Sequence, residues 1–162
     1  MSSMITRSMT SGADFRLDFD MADPDLRRAA YGDCHFLTIA LAKATGWQPV
    51  VLHDLRYRSN LTYLHDYGEP LHSAVLTPRG LVLDAHGVRS LGIDEIAEHY
   101  GDKDSIAWRP DAEPSLEDMS AVLPPDPGDR PEQAAVLARR ILAAIEPFMD
   151  RIGTAPEDDP SP

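Results

Sequence analysis

The chain of 162 residues is long enough for one domain with its own hydrophobic core. Its 15 Lys and Arg against 27 Asp and Glu leave a net charge of −12, a field that repels phosphate backbones and that no basic stripe interrupts, which excludes nucleic acid as a partner. The hydrophobic fraction of 43% is close to that of a soluble globular protein, and no apolar run reaches the roughly 18 residues of a membrane-spanning helix.

Residues 1–13 are rich in Ser, Met and Thr without periodicity and are expected to be disordered. They hold no apolar h-region, so no secretory signal is read; the expected setting is cytoplasmic, or delivery by a route that needs no signal. Phe15, Leu17, Phe19 and Met21 alternate with polar residues, the period of a half-buried strand. Asp23-Pro24 pairs a cap with a first-turn proline and predicts a short helix over 24–31.

The clearest helix covers 34–45, where Leu37, Ala40, Leu41 and Ala44 recur on one face, Asp33 stands at the cap and Gly46 at the stop. Val50-Val51-Leu52-His53 reads as a strand, and the polar, aromatic stretch 54–70 as a loop whose Tyr57, Tyr63 and Tyr67 are candidates for substrate contact. Strands follow over 71–76 and 81–85, then a helix over 93–100 and a strand over 105–108. Prolines and acids mark 110–130 as a linker. A helix over 131–152 shows a stripe of Ala135, Leu137, Leu142 and Ile145, with Pro147 expected to kink or end it, and 153–162 reads as a disordered tail. The expected architecture is α+β: one domain over 14–109, a core helix on a small antiparallel sheet, with an appended C-terminal helix.

Cys34 is the only cysteine, so neither an intrachain disulfide nor a thiolate-rich zinc site can form, and a reducing compartment suits the chain. A lone cysteine is ordinarily an inert, buried hydrophobe. Cys34, however, opens the apolar helix, where amide N–H groups lack intrahelical acceptors and the dipole favours a thiolate. Asp33 opposes this unless it is capping or turned away.

His72 lies inside the apolar hexamer 71–76 and reads either as a core histidine bonded to a backbone carbonyl or as a base beside a carboxylate. Asp84 ends the next strand and reads either as a turn former or as that carboxylate. Pro78-Arg79-Gly80 fits a three-residue hairpin loop with a left-handed glycine. In that register Thr77 pairs with Leu81, and His72 and Asp84 become diagonal neighbours on one face. A carboxylate there would fix the histidine's tautomer and stabilise its charged form.

Gly32-Asp33-Cys34 opening an apolar helix, then Leu71-His72-Ser73-Ala74-Val75, then Gly80-Leu81-Val82-Leu83-Asp84-Ala85-His86-Gly87, resembles the papain-like cysteine hydrolases. The likeness covers about residues 31–90 and is nearest in element order to the transglutaminase-like, arylamine-acyltransferase-like and small bacterial toxin branches. It implies thiol acyl transfer on an α+β fold and does not imply a substrate; the expectation is a protein or peptide, attacked by peptidase, deamidase or transglutaminase chemistry without a cofactor. Cys34 would be the nucleophile, His72 the base and Asp84 its orienting partner. Papain has a glutamine six residues before its cysteine that helps form the oxyanion hole; Arg28 stands there in this chain.

Tyr31, His35 and His86 are carried as candidate substrate contacts, although His35 is expected to point elsewhere on the helix, and Tyr31, like Trp47, fits the core as well. The six histidines, at 35, 53, 65, 72, 86 and 99, form no metal-binding pair of the HxxxH or HExxH kind, so no metal is expected. The alternative to an enzyme is a papain-like scaffold that serves as a binding or inhibitor module, its acidic surface docking a basic partner.

Overall fold

The computed structural model describes residues 3–9, 15–54, 69–90, 106–108, 115–121 and 123–153. Most of the expected 54–70 loop with its three tyrosines, the helix over 93–100 and all but the first residue of the tail lie outside them.

The chain is α+β. Strands β1 (Ile5–Met9), β2 (Arg16–Phe19), β3 (Gln48–Asp54), β4 (Glu69–Leu76), β5 (Leu81–Asp84), β6 (Gly87–Ser90) and β7 (Ile106–Trp108) form one antiparallel sheet in the order β1-β2-β6-β5-β4-β3-β7. The helices are α1 (Pro24–Tyr31), α2 (Cys34–Thr45), α3 (Leu116–Ala121), α4 (Arg130–Ile145) and, after a 3-10 turn at Glu146–Phe148, α5 (Met149–Ile152).

Local chemistry sets the boundaries. The Asp23 carboxylate accepts the N–H groups of Asp25 and Leu26 and starts α1. Gly46, at φ 74°, stops α2. Pro147 cannot donate to the helical ladder, and α4 ends two residues before it. Pro49 is tolerated in β3 because β7 reaches only Leu52 to Asp54, leaving the strand an edge at the proline.

Residues 5–9, expected to be disordered, instead form the edge strand β1 on β2. Four of its five side chains are exposed, so the pairing rests on backbone hydrogen bonds and leaves no alternating apolar pattern to read. Ala44, placed by period on the apolar face of α2, is exposed, while Phe36, Leu37, Thr38, Ile39, Leu41 and Ala42 are buried. A single stripe does not describe α2 because neighbours cover it from several sides. Leu37, Leu41 and Ala42 join one core with Val75, Leu83 and Val88 of the sheet and Leu26, Ala29 and Ala30 of α1. The stripe of α4 is turned slightly from the expected one: Ala134, Leu137, Ala138, Ile141 and Ile145 are buried, and Ala135 and Leu142 only partly. This helix shares the core with the sheet and is not an appendage.

The stretch expected to be a linker also contributes. Met119 of α3 is fully buried against Ile39 of α2 and Val51 of β3. Met119→Ala is expected to destabilise the fold by about 2–5 kcal/mol, as for other large-to-small core changes, read as a lower urea midpoint. An unchanged midpoint would return 110–130 to a passive connection.

Gly87 carries the tightest approach in the sheet. Its φ is 139°, and a Cβ there would lie 1.8 Å from the Leu17 carbonyl oxygen of the adjoining strand. Gly87→Ala should force β2 and β6 apart and cost on the order of 4 kcal/mol, visible as a large drop in melting temperature.

Candidate active site

The β4–β5 hairpin closes through Pro78-Arg79-Gly80. Thr77 N–H donates to the Leu81 carbonyl at 2.7 Å, Gly80 N–H to the Thr77 carbonyl at 2.9 Å, and Gly80 has φ 76°. The register Leu76 to Val82 and Val75 to Leu83 makes His72 and Asp84 diagonal neighbours. His72 Nε2 and Asp84 Oδ2 are 2.8 Å apart, both side chains only 2% exposed.

Both oxygens of Asp84 are engaged. Oδ1 accepts the His86 N–H at 2.9 Å, closing the tight turn into β6. Oδ2 also accepts from Arg89 Nη2 at 2.7 Å. Because Val82 pairs with Arg89 and Asp84 with Gly87, Arg89 reaches the carboxylate from the opposite diagonal. The turn-forming and histidine-contacting readings of Asp84 are thus both observed, one on each oxygen. Burial alone would push this carboxyl up, but the Arg89 charge and then His72 outweigh it and hold the group well below the usual carboxylate range.

Cys34 is partly exposed at the start of α2 and has both His35 and His72 as hydrogen-bond partners. Since His72 gives Nε2 to Asp84, the nitrogen left for sulfur is Nδ1. Burial raises the thiol pKa, yet the bonds to His35 and then His72 pull it down to about 5. His72 is pushed the other way, to about 9: burial lowers it, while the Asp84 bond and then the Cys34 bond raise it more. The pair is therefore a thiolate beside an imidazolium at neutral pH.

Asp33 occupies the cap position but makes no side-chain cap bond. Its carboxylate instead lies 3.6 Å from the Arg130 guanidinium of α4, which also sits 5.3 Å over the Phe36 ring. The unfavourable charge next to Cys34 is thereby countered, and the side chain leaves the first-turn amides of α2 uncapped. Those amides can donate to an anion at the sulfur. Arg28, six residues before Cys34, faces α4 and bonds Gln133 at 3.1 Å.

The three flanking candidates fall around this centre. His35 does not point away: its Nδ1 is 3.9 Å from Cys34 Sγ and 2.8 Å from Ser73 Oγ. Adjacent residues of α2 thus meet adjacent residues of β4, Cys34 with His72 and His35 with Ser73. His86 is buried, its ring centroid 6.4 Å from that of His72. Tyr31, which fitted the core by sequence, is 60% exposed and stands edge-on to His86 at 5.5 Å, because it is the last residue of α1 and faces out. Trp47 is half-buried against the core.

Arg89, Ser73 and Thr38 belong to the site and are absent from the sequence reading. Arg89 had a usable signal: the diagonal arithmetic that joins His72 to Asp84 applies equally across the next turn. Ser73 and Thr38 had none, since their contact depends on how α2 lies on β4.

Among the described residues, no group of three His, Cys, Asp or Glu side chains could hold a metal ion, and no helix is long and apolar enough to cross a membrane. Chemically, the site unites a polarised sulfur, a proton carrier, an orienting carboxylate and free amide donors. No family model, curated protein or solved structure matches this chain.

Proposed function

We propose that this chain is a papain-like, cysteine-dependent acyl-transfer enzyme acting on a carboxamide or peptide carbonyl. The observation that carries the reading is the line Cys34–His72–Asp84, with the histidine bonded to a buried carboxylate on one side and to the sulfur on the other. The thiolate attacks the carbonyl carbon, an S–C bond forms, and the oxyanion meets the Cys34 amide. His72 then gives its proton to the leaving amine as the C–N bond breaks, leaving a thioester. Water or an amine resolves the thioester, with His72 accepting the proton; peptidase, deamidase and transglutaminase outcomes differ only in this acceptor and in the amide attacked. Tyr31, exposed and edge-on to the buried His86, fits substrate contact, with His86 behind it. A reducing setting, cytoplasmic or reached without a signal, suits a free thiolate.

The test uses an activated ester, p-nitrophenyl acetate, as acyl donor. Wild type is expected to release nitrophenol in a burst and to carry a hydroxylamine-labile acetyl group on Cys34 by mass spectrometry. Cys34→Ala should carry none, and His72→Ala should acylate at least about tenfold more slowly. The net charge of −12 favours the second reading, a non-catalytic scaffold for a basic partner. Wild type that fails to acylate, with salt-sensitive partner binding intact in Cys34→Ala, would select it.

A further inference from the structure

We propose that two histidines serve Cys34: His35 holds the sulfur as a thiolate through its Nδ1–H, Ser73 and Thr38 fix that ring, and His72 is thereby left to move the proton. The proposal rests on the acyl-transfer reading and assigns its parts.

The hydrogen-bond order is what singles out His35. Ser73 Oγ donates to Thr38 Oγ1 at 2.9 Å, and with its hydrogen so placed its oxygen accepts from His35 Nδ1, 2.8 Å away. Nδ1 therefore carries the hydrogen. The same N–H lies 3.9 Å from Cys34 Sγ, which makes the sulfur its second, weaker acceptor, one that strengthens when the sulfur is charged. Ser73 and Thr38 are each 2% exposed, so the hydroxyl pair that anchors the half-buried His35 ring is shielded from water, and the orientation is held by two elements, β4 and α2.

Division of labour follows. While His72 bears a proton, either histidine could stabilise the thiolate. His72 loses its proton to the leaving amine and regains one from the attacking water, whereas the hydrogen on His35 takes no part in either transfer and faces the sulfur throughout the cycle. His35 makes contact with the reacting atom and is a catalytic residue in this scheme; Ser73 and Thr38 are positioning residues.

The other charged or titratable groups around the sulfur do not explain such an effect. Asp33 is paired with Arg130, and Asp84 with Arg89 behind His72; His86 stands beside the His72 ring and Tyr31 beside His86. The burial-opposed drop of the thiol agrees with a donor at His35.

Iodoacetamide alkylation of the full chain against pH reads the thiolate directly. His35→Phe, which keeps a flat ring without a donor, should raise the midpoint by about one pH unit or more, roughly tenfold less thiolate below it. His35→Asn, which returns an N–H near the Nδ1 position, should recover most of that shift. Ser73→Ala, a smaller change that preserves the fold, should move the midpoint in the same direction by less. His72→Ala should keep a midpoint below that of an ordinary thiol. An unmoved midpoint in both His35→Phe and Ser73→Ala, with full loss in His72→Ala, overturns the proposal and leaves the triad standing. An ordinary midpoint in wild type overturns both together.

Discussion

Asp84→Asn is expected to cost about 3–5 kcal/mol of stability at neutral pH, out of proportion to a change of one atom. Asparagine keeps the shape and can still accept the His86 N–H, so the turn into β6 survives. What disappears is the anion that bonds two buried cations at once, the Arg89 guanidinium at 2.7 Å and the His72 imidazolium at 2.8 Å. Water cannot replace it, since the Asp84 and Arg89 side chains are 2% and 4% exposed. The sign with pH follows from the depressed carboxyl. Its contribution is fully present above the unfolded value of about 3.9 and is lost as pH falls below that. Urea melts of wild type and Asp84→Asn should therefore differ widely at pH 7 and converge in acid. Adding Arg89→Met to Asp84→Asn should restore part of the loss, because a neutral pair leaves no guanidinium stranded. Equal stability of wild type and Asp84→Asn at pH 7 would remove the electrostatic account of the site.

The sequence carried much of this arrangement because the relevant constraints are local. A proline and a glycine in the hairpin loop fix the register, and the register alone brings residues 72 and 84 within side-chain reach. Asp23 and Gly46 mark helix ends by their own chemistry. Illegible parts share a different cause. Strand β1 is held through its backbone, with side chains that carry no period. His35 follows Cys34 by about 100° of helical turn, which suggests a different direction, yet the first turn of α2 lies across β4 and both side chains find it. Met119 sits in a stretch that composition labels a linker, and only the groove between α2 and β3 gives it a place. Arg89 lies in β6, a strand of four residues for which the sequence offers no apolar alternation, and only its diagonal to Asp84 gives it a role.

Arginine, carboxylate, imidazolium and thiolate thus alternate in sign from β6 through β5 and β4 to α2. Arg89 keeps Asp84 ionised, Asp84 keeps His72 protonated, and His72, aided by His35, keeps Cys34 charged. Each link offsets the burial of the next, which a lone buried charge could not do.

The native and urea-unfolded chains are expected to exchange order in iodoacetamide reactivity as pH rises, which sets this site apart from a merely accessible cysteine. In the native state Cys34 is pulled to about 5 and His72 pushed to about 9, so the ion pair forms as pH rises through the first value and dissolves through the second. At pH of about 6 the native thiol is mostly ionised, whereas an unfolded one with a pKa of about 8.5–9 is ionised to on the order of one part in a thousand. Lower basicity makes each thiolate a weaker nucleophile, by about 40–100-fold over four units at a Brønsted slope of about 0.4–0.5. The thiolate population wins at low pH: native protein should react about tenfold faster at pH of about 6. Above neutrality the unfolded thiol ionises too and its greater basicity prevails, so at pH of about 9 the order reverses. Hydrolysis of a p-nitroanilide, whose leaving amine takes its proton from the imidazolium, should plateau between the two native values and fall on both sides. A native rate below the unfolded rate at every pH would mean that the sulfur is either shielded or uncharged, and the enzyme reading would fall with it.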